Sequence, residues 1–70
     1  MSKVGKNLLV ALKLKYMSEV QSATATLHIY IQNPVGIGEH PQHLEEMDKL
    51  VDTIATSQDK LDTLEKIVNL

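Results

Sequence analysis

The stretch SATATLHIYIQNPVGIGEH, residues 22–40, decides the fold because it carries two incompatible patterns. From residue 23 to residue 31, apolar and polar side chains alternate, which is typical of a strand with one buried face. The apolar residues upstream recur every three or four positions, and this helical spacing continues through the same stretch. A single backbone conformation can satisfy only one of the two patterns.

The helical spacing is the longer of the two patterns. Seven residues follow it without interruption: Leu9, Leu12, Tyr16, Val20, Ala23, Leu27 and Tyr30. A strand would find no partner strand elsewhere in the chain, and its unpaired backbone groups would require an intermolecular sheet. The sequence therefore predicts one helix from about residue 6 to residue 32.

The second half of the chain carries a seam of the same kind. Its members are Met47, Leu50, Ile54, Ser57, Leu61, Leu64 and Val68. Pro41 suits the first helical position, where its missing N–H is not needed, and Glu45 and Glu46 lie near the positive end of the helix dipole. This pattern predicts a second helix from about residue 41 to residue 69.

The segment between the two helices is predicted to be a structural hinge over residues 33–40. Pro34 lacks a backbone donor and disfavours the α region at Asn33, so the first helix should end there. Gly36 and Gly38 permit positive φ. This Gly-Ile-Gly sequence has no preceding strand and no following Lys-Ser/Thr pair, so we do not expect it to bind phosphate. The predicted hinge residues are Asn33, Pro34, Gly36, Gly38, Glu39, His40 and Pro41.

The two helices are expected to fold back on each other as an all-α, antiparallel two-helix hairpin, a single domain of residues 1–70. If Tyr30 lies near His43, then Ala23 faces Leu50 and a large residue meets a small one. The same register places Ser57 in the seam, where its hydroxyl requires one hydrogen-bond partner.

A chain of 70 residues without cysteine needs a further source of stability, because a core of this size contributes only about 3–5 kcal/mol. Several apolar residues lie off the seam: Leu8, Val10, Leu14, Met17, Leu44, Val51, Ala55 and Ile67. The sequence therefore predicts self-association into a dimer or higher oligomer, with two hairpins forming a four-helix bundle. The predicted interface residues are Leu14, Met17, Leu44, Val51 and Ala55.

Charge and aromatic content bear on nucleic-acid binding. The net charge is -2, and the chain has no Trp or Phe and only two Tyr, so stacking on bases is not expected. A nucleic-acid-associated module is the alternative function, and it would use the N-terminal lysines Lys3, Lys6, Lys13 and Lys15. An antiparallel hairpin would bring C-terminal acids close to these lysines and dilute the basic surface.

The histidines near the predicted hinge are the candidate metal ligands. His40 and His43 are three residues apart, so both imidazoles could reach one ion, but a metal site requires three or four convergent ligands. No nucleophile has an adjacent base, and two helices offer no deep concave pocket. We therefore predict no metal, no cofactor and no catalytic residue, and expect a non-enzymatic protein.

The chain has no stretch of about 18 uncharged apolar residues and no recognisable leader, so we expect a cytoplasmic protein that does not enter a membrane. The segment IYIQNPVGIGEHPQHLEEMDKLVD, residues 29–52, resembles a group of short uncharacterised tailed-bacteriophage proteins with an NPxGIGEH turn between two helices. This resemblance implies a phage protein made in the bacterial host cytoplasm, and it assigns no activity. The apolar residues left outside the seam instead lead to the predicted function, a homo-oligomeric helical interaction protein that binds a phage or host protein.

Overall fold

The computed structural model describes residues 2–33 and 42–68, which form two packed helices. Helix α1 spans Lys3–Gln32 and helix α2 spans His43–Val68. The molecule is a rod of 51 × 16 × 15 Å, a single layer of two helices. Stretch 22–31 is helical throughout, and the described residues contain no strand. The predicted all-α fold is confirmed.

Helix α1 begins at Lys3, three residues before the predicted start near Lys6. Ser2 lies in the extended region (φ −67°, ψ 159°), and its Oγ accepts a hydrogen bond from the backbone N–H of Gly5 over 3.0 Å. This is the N-cap arrangement, which satisfies one of the amides that a helix start leaves without a partner. The earlier start is therefore due to a side chain outside the hydrophobic seam.

Helix α1 ends at Gln32, as predicted from the position of Pro34 in the sequence. Asn33 adopts φ −148° and ψ 63°, outside the α region, and its backbone N–H donates to the carbonyl of Ile29 over 2.9 Å. The restriction that proline imposes on the preceding residue accounts for this ending. The remaining predicted hinge residues, from Pro34 to Pro41, lie outside the described residues.

Helix α2 carries charges that suit both of its ends. Glu45 and Glu46 lie in its first turn and Lys66 in its last, each opposite in sign to the nearby end of the helix dipole. The backbone N–H of Glu46 donates to the carbonyl of Gln42 over 2.9 Å. The predicted boundaries at residues 41 and 69 lie outside the described residues.

The helices run antiparallel in the predicted register. The rings of Tyr30 and His43 meet edge to face, with centroids 5.7 Å apart and planes at 82°. Farther along, the hydroxyl of Ser57 contacts the carboxylate of Glu19. The predicted contact between Tyr30 and His43 is confirmed, and Ser57 has the hydrogen-bond partner that its seam position requires.

The core between the helices is thin. Every residue of both predicted seams is buried or half-buried, but among the described residues only Ala23 and Leu61 are fully buried apolar side chains. Ser57, at 2% exposure, is buried between them along the seam. An isolated hairpin of this kind buries little apolar surface, so most of its large apolar side chains keep contact with water.

Candidate interaction surface

The exposed apolar residues continue the heptad spacing on a second stripe of each helix. On α1, Val10, Met17 and Ile31 are separated by multiples of seven residues, and on α2, Leu44 and Val51 are seven residues apart. Residues at this spacing share one side of a helix. Leu14 and Ala55 lie within about 60° of Met17 and Val51 around their helices. We call the combined stripe the apolar face, and its members are Val10, Leu14, Met17, Ile31, Leu44, Val51 and Ala55.

Both stripes lie on the same side of the hairpin. Seen from its N-terminus, a right-handed helix advances clockwise by about 100° per residue, so Met17 is about 100° clockwise of Tyr16 and Val51 about 100° clockwise of Leu50. Tyr16 and Leu50 are seam positions that face the other helix. Because the helices are antiparallel, a clockwise step on each leads to the same side. The seven residues therefore form one continuous face.

The opposite side of the hairpin confirms this geometry. Thr26 and Thr53 each follow a seam residue by three positions, which places them about 60° counter-clockwise on their helices. Both line one shallow groove of about 330 Å³, together with Ser18 and Ser22. Counter-clockwise positions thus meet on one side, and clockwise positions meet on the other. The groove side is rich in hydroxyl groups near its middle and also carries the exposed apolar residues Val4, Leu8, Ile29 and Ile67. The other side carries the apolar face.

The five predicted interface residues all belong to the apolar face and are exposed. Exposure is 58% at Leu14, 46% at Met17, 79% at Leu44 and 50% at Val51. Within residues 2–33 and 42–68 these side chains stay largely exposed, and their role as an oligomer interface stays a prediction.

Two members of the apolar face were not predicted as interface residues. Val10 is an off-seam apolar residue in the sequence, and Ile31 belongs to the strand-like alternation. The signal that identifies both is their distance from Met17, which is seven residues for Val10 and fourteen for Ile31. Their exposure, 50% and 57%, matches that of the predicted members.

The N-terminal lysines do not form a single stripe. Lys13 follows Leu12 by one residue and therefore lies toward the apolar face, whereas Lys15 is about 160° away from it around the helix. The Nζ atom of Lys15 lies 3.7 Å from Oε1 of Glu19. Lys15 is thus engaged on the groove side, apart from Lys3, Lys6 and Lys13. The basic surface that the nucleic-acid alternative requires is divided between two sides.

Ser57 and Glu19 form a polar contact between the two helices, in which the serine hydroxyl donates to the carboxylate. A hydroxyl that donates to a carboxylate has the polarity of a nucleophile and its base. Ser57 is 2% exposed, however, and is closed in by the seam, so a substrate has no path to its oxygen. The contact has the geometry of an interhelical tie.

The candidate metal ligands are only partly within the described residues. His43 packs against Tyr30, and His40 lies outside the described residues. Within residues 2–33 and 42–68, no group of three or more His, Cys, Asp or Glu side chains converges as a metal site would require. Neither described helix has the length and apolar character needed to cross a bilayer.

Comparison with known proteins identified no relative of this chain. No protein-family model matches it, and neither a curated protein nor a solved structure matches it.

Proposed function

We propose that this chain is a non-enzymatic structural or interaction protein that acts as a homo-oligomer, in which the apolar face of one hairpin packs on that of a second copy. Two such hairpins would form a four-helix bundle. The observation that carries the proposal is a contrast among the described residues: Ala23 and Leu61 are the two buried apolar residues of the core, whereas seven exposed residues lie on one face.

The free energy of the hydrophobic effect supports a second copy as the occupant. Burial of apolar surface contributes about 25 cal/mol per Å², so covering this face adds several kcal/mol. A 70-residue chain without disulfides has little stability of its own. A second copy of the chain is present wherever the first one is, so it can supply the stability that a single hairpin lacks. The phage or host protein expected as a partner from the surplus of apolar residues would then bind the assembled oligomer.

The direct test is sedimentation equilibrium from low to high micromolar chain concentration. We expect a dimer or higher oligomer, and Met17→Glu should raise the dissociation constant at least tenfold because it places a charge in the contact. Ile29→Glu is the matched control, since Ile29 is similarly exposed, at 54%, and about 160° away from Ile31 around α1. A monomer at all concentrations, or equal effects of both variants, would refute the proposal.

The nucleic-acid alternative is separated by a binding titration at several salt concentrations. A module that uses Lys3, Lys6 and Lys13 must lose affinity for duplex or single strands as salt rises, because it releases counterions from the phosphates. If the oligomer shows no such affinity, that alternative is excluded.

A further inference from the structure

The apolar faces of two hairpins can meet about a two-fold axis in two simple ways. With the axis parallel to the helices, each α1 lies on α2 of the second copy and both rods point in the same direction. With the axis perpendicular to them, α1 lies on α1, α2 lies on α2 and the rods point in opposite directions. We infer that the axis is parallel, an inference that rests on the homo-oligomer proposed above.

The two ends of the rod differ in chemistry on the side of the apolar face. The Tyr30 end, where α1 finishes, carries Ile31 and Leu44. The opposite end, called the Lys6 end, carries a net positive charge on α1 and a net negative charge on α2. Its charged members on this side of the hairpin are Lys3, Lys6 and Lys13 on α1, and Asp62, Glu65 and Lys66 on α2.

A parallel axis matches these chemistries across the interface. Each residue of α1 then lies on the part of α2 that is level with it in the hairpin. At the Lys6 end, the lysines of one copy meet Asp62 and Glu65 of the second copy, and at the Tyr30 end Ile31 meets Leu44. Opposite net charges are therefore paired at the Lys6 end of the bundle, and apolar groups are paired at the Tyr30 end.

A perpendicular axis places surfaces of different chemistry against each other. It lays α2 on α2 in opposite directions, so Asp48 comes within one helical turn of Asp62, Glu65 and Lys66 of the second copy, a group of net negative charge. Leu44 then lies near the acids as well. Like charges at an interface disfavour that arrangement, and complementary charges set the orientation of partners more than their affinity.

Distance measurement between spin labels tests the orientation, because the chain has no cysteine and single-cysteine variants accept one label each. Ile31→Cys and Lys6→Cys place labels at opposite ends, and Gln21→Cys places one near the middle. Each labelled variant is first confirmed as a dimer by sedimentation. If a label at residue 31 weakens the contact between copies, Lys6→Cys still gives an end-to-end distance.

A parallel axis predicts that all three label pairs lie within about 30 Å, since each label is level with its mate across a bundle of helices about 10 Å apart. A perpendicular axis predicts about 40 Å for the end labels and a short distance only for Gln21→Cys, because each end lies about 20 Å from the middle at 1.5 Å per residue. Long end distances in a dimer would overturn the orientation alone. A parent chain that sediments as a monomer would overturn the oligomer itself.

Discussion

The hydroxyl of Ser57 donates a hydrogen bond to Oε2 of Glu19 over 2.9 Å, and this contact joins the two helices near the middle of the seam. The second oxygen of the same carboxylate lies 3.7 Å from Nζ of Lys15. Ser57 is buried, whereas the Glu19 side chain keeps 35% of its exposure. A shift of one helix by a turn would separate the hydroxyl from the carboxylate, so the contact favours one register.

Replacing Ser57 with Ala should lower the free energy of unfolding by about 1–2 kcal/mol, because a hydrogen bond to a charged acceptor is lost. The loss is limited because water can reach the carboxylate of Glu19. Urea denaturation at one fixed chain concentration measures it, since oligomers unfold in a concentration-dependent way. Ser18→Ala, at an exposed serine, is the control and should leave stability nearly unchanged. A Ser57→Ala variant as stable as the parent would show that the tie contributes nothing.

Ala23 is 6% exposed, and a larger side chain at this position would force the helices apart. Ala23→Leu should therefore destabilise the hairpin by about 1–3 kcal/mol, the usual cost of overpacking a close contact. Ala25→Leu makes the same chemical change at an exposed site two residues later and should alter stability by less than about 0.5 kcal/mol. Thermal melting of both variants checks the difference. Equal melting temperatures would contradict the close approach at Ala23.

The cap at Ser2 predicts a local effect. Ser2→Ala should cost about 1 kcal/mol of helix stability, because the backbone N–H of Gly5 loses its acceptor. Hydrogen exchange at the Gly5 amide should accelerate, while exchange near Ala23 should change little. Ser2→Asp retains an acceptor oxygen and should restore slow exchange at Gly5. If Ser2→Asp exchanges as fast as Ser2→Ala, the side chain does not cap the helix.

The hinge prediction comes from sequence alone, because Gly36 and Gly38 lie outside the described residues. Each Gly→Val change should destabilise the hairpin by about 1 kcal/mol or more if the native φ is positive. Glu39→Ala and His40→Ala should cost less in the same melting experiment. If both valine variants melt like the parent, a binding role for this segment becomes the better explanation of its composition.

The sequence by itself determined the helical class and the inward side of each helix. The three-four spacing extends over seven seam positions on α1, and each of them is buried or half-buried in the structure. Pro34 likewise determined where α1 ends. These features are predictable because helix periodicity and the restriction before proline act between residues that are close in the chain.

The interaction surface was predictable only in part. Spacing identified Leu14, Met17, Leu44, Val51 and Ala55 as apolar residues outside the seam, because an angle around one helix follows from residue number. It did not identify Ile31, whose place in an alternating stretch suggested a strand. It also did not reveal the cap at Ser2, which depends on one side chain rather than on a repeat.

The sequence predicted an antiparallel hairpin and its register, but only the tertiary structure showed which polar side chains meet across the seam. Ser57 and Glu19 are thirty-eight positions apart, and their hydrogen bond forms only at the angle and register at which α1 meets α2. The union of two apolar stripes into one face also depends on that antiparallel packing. The physical reason is that residue spacing determines direction around a single helix axis, whereas the relation between two axes is set by contacts between side chains far apart in the chain.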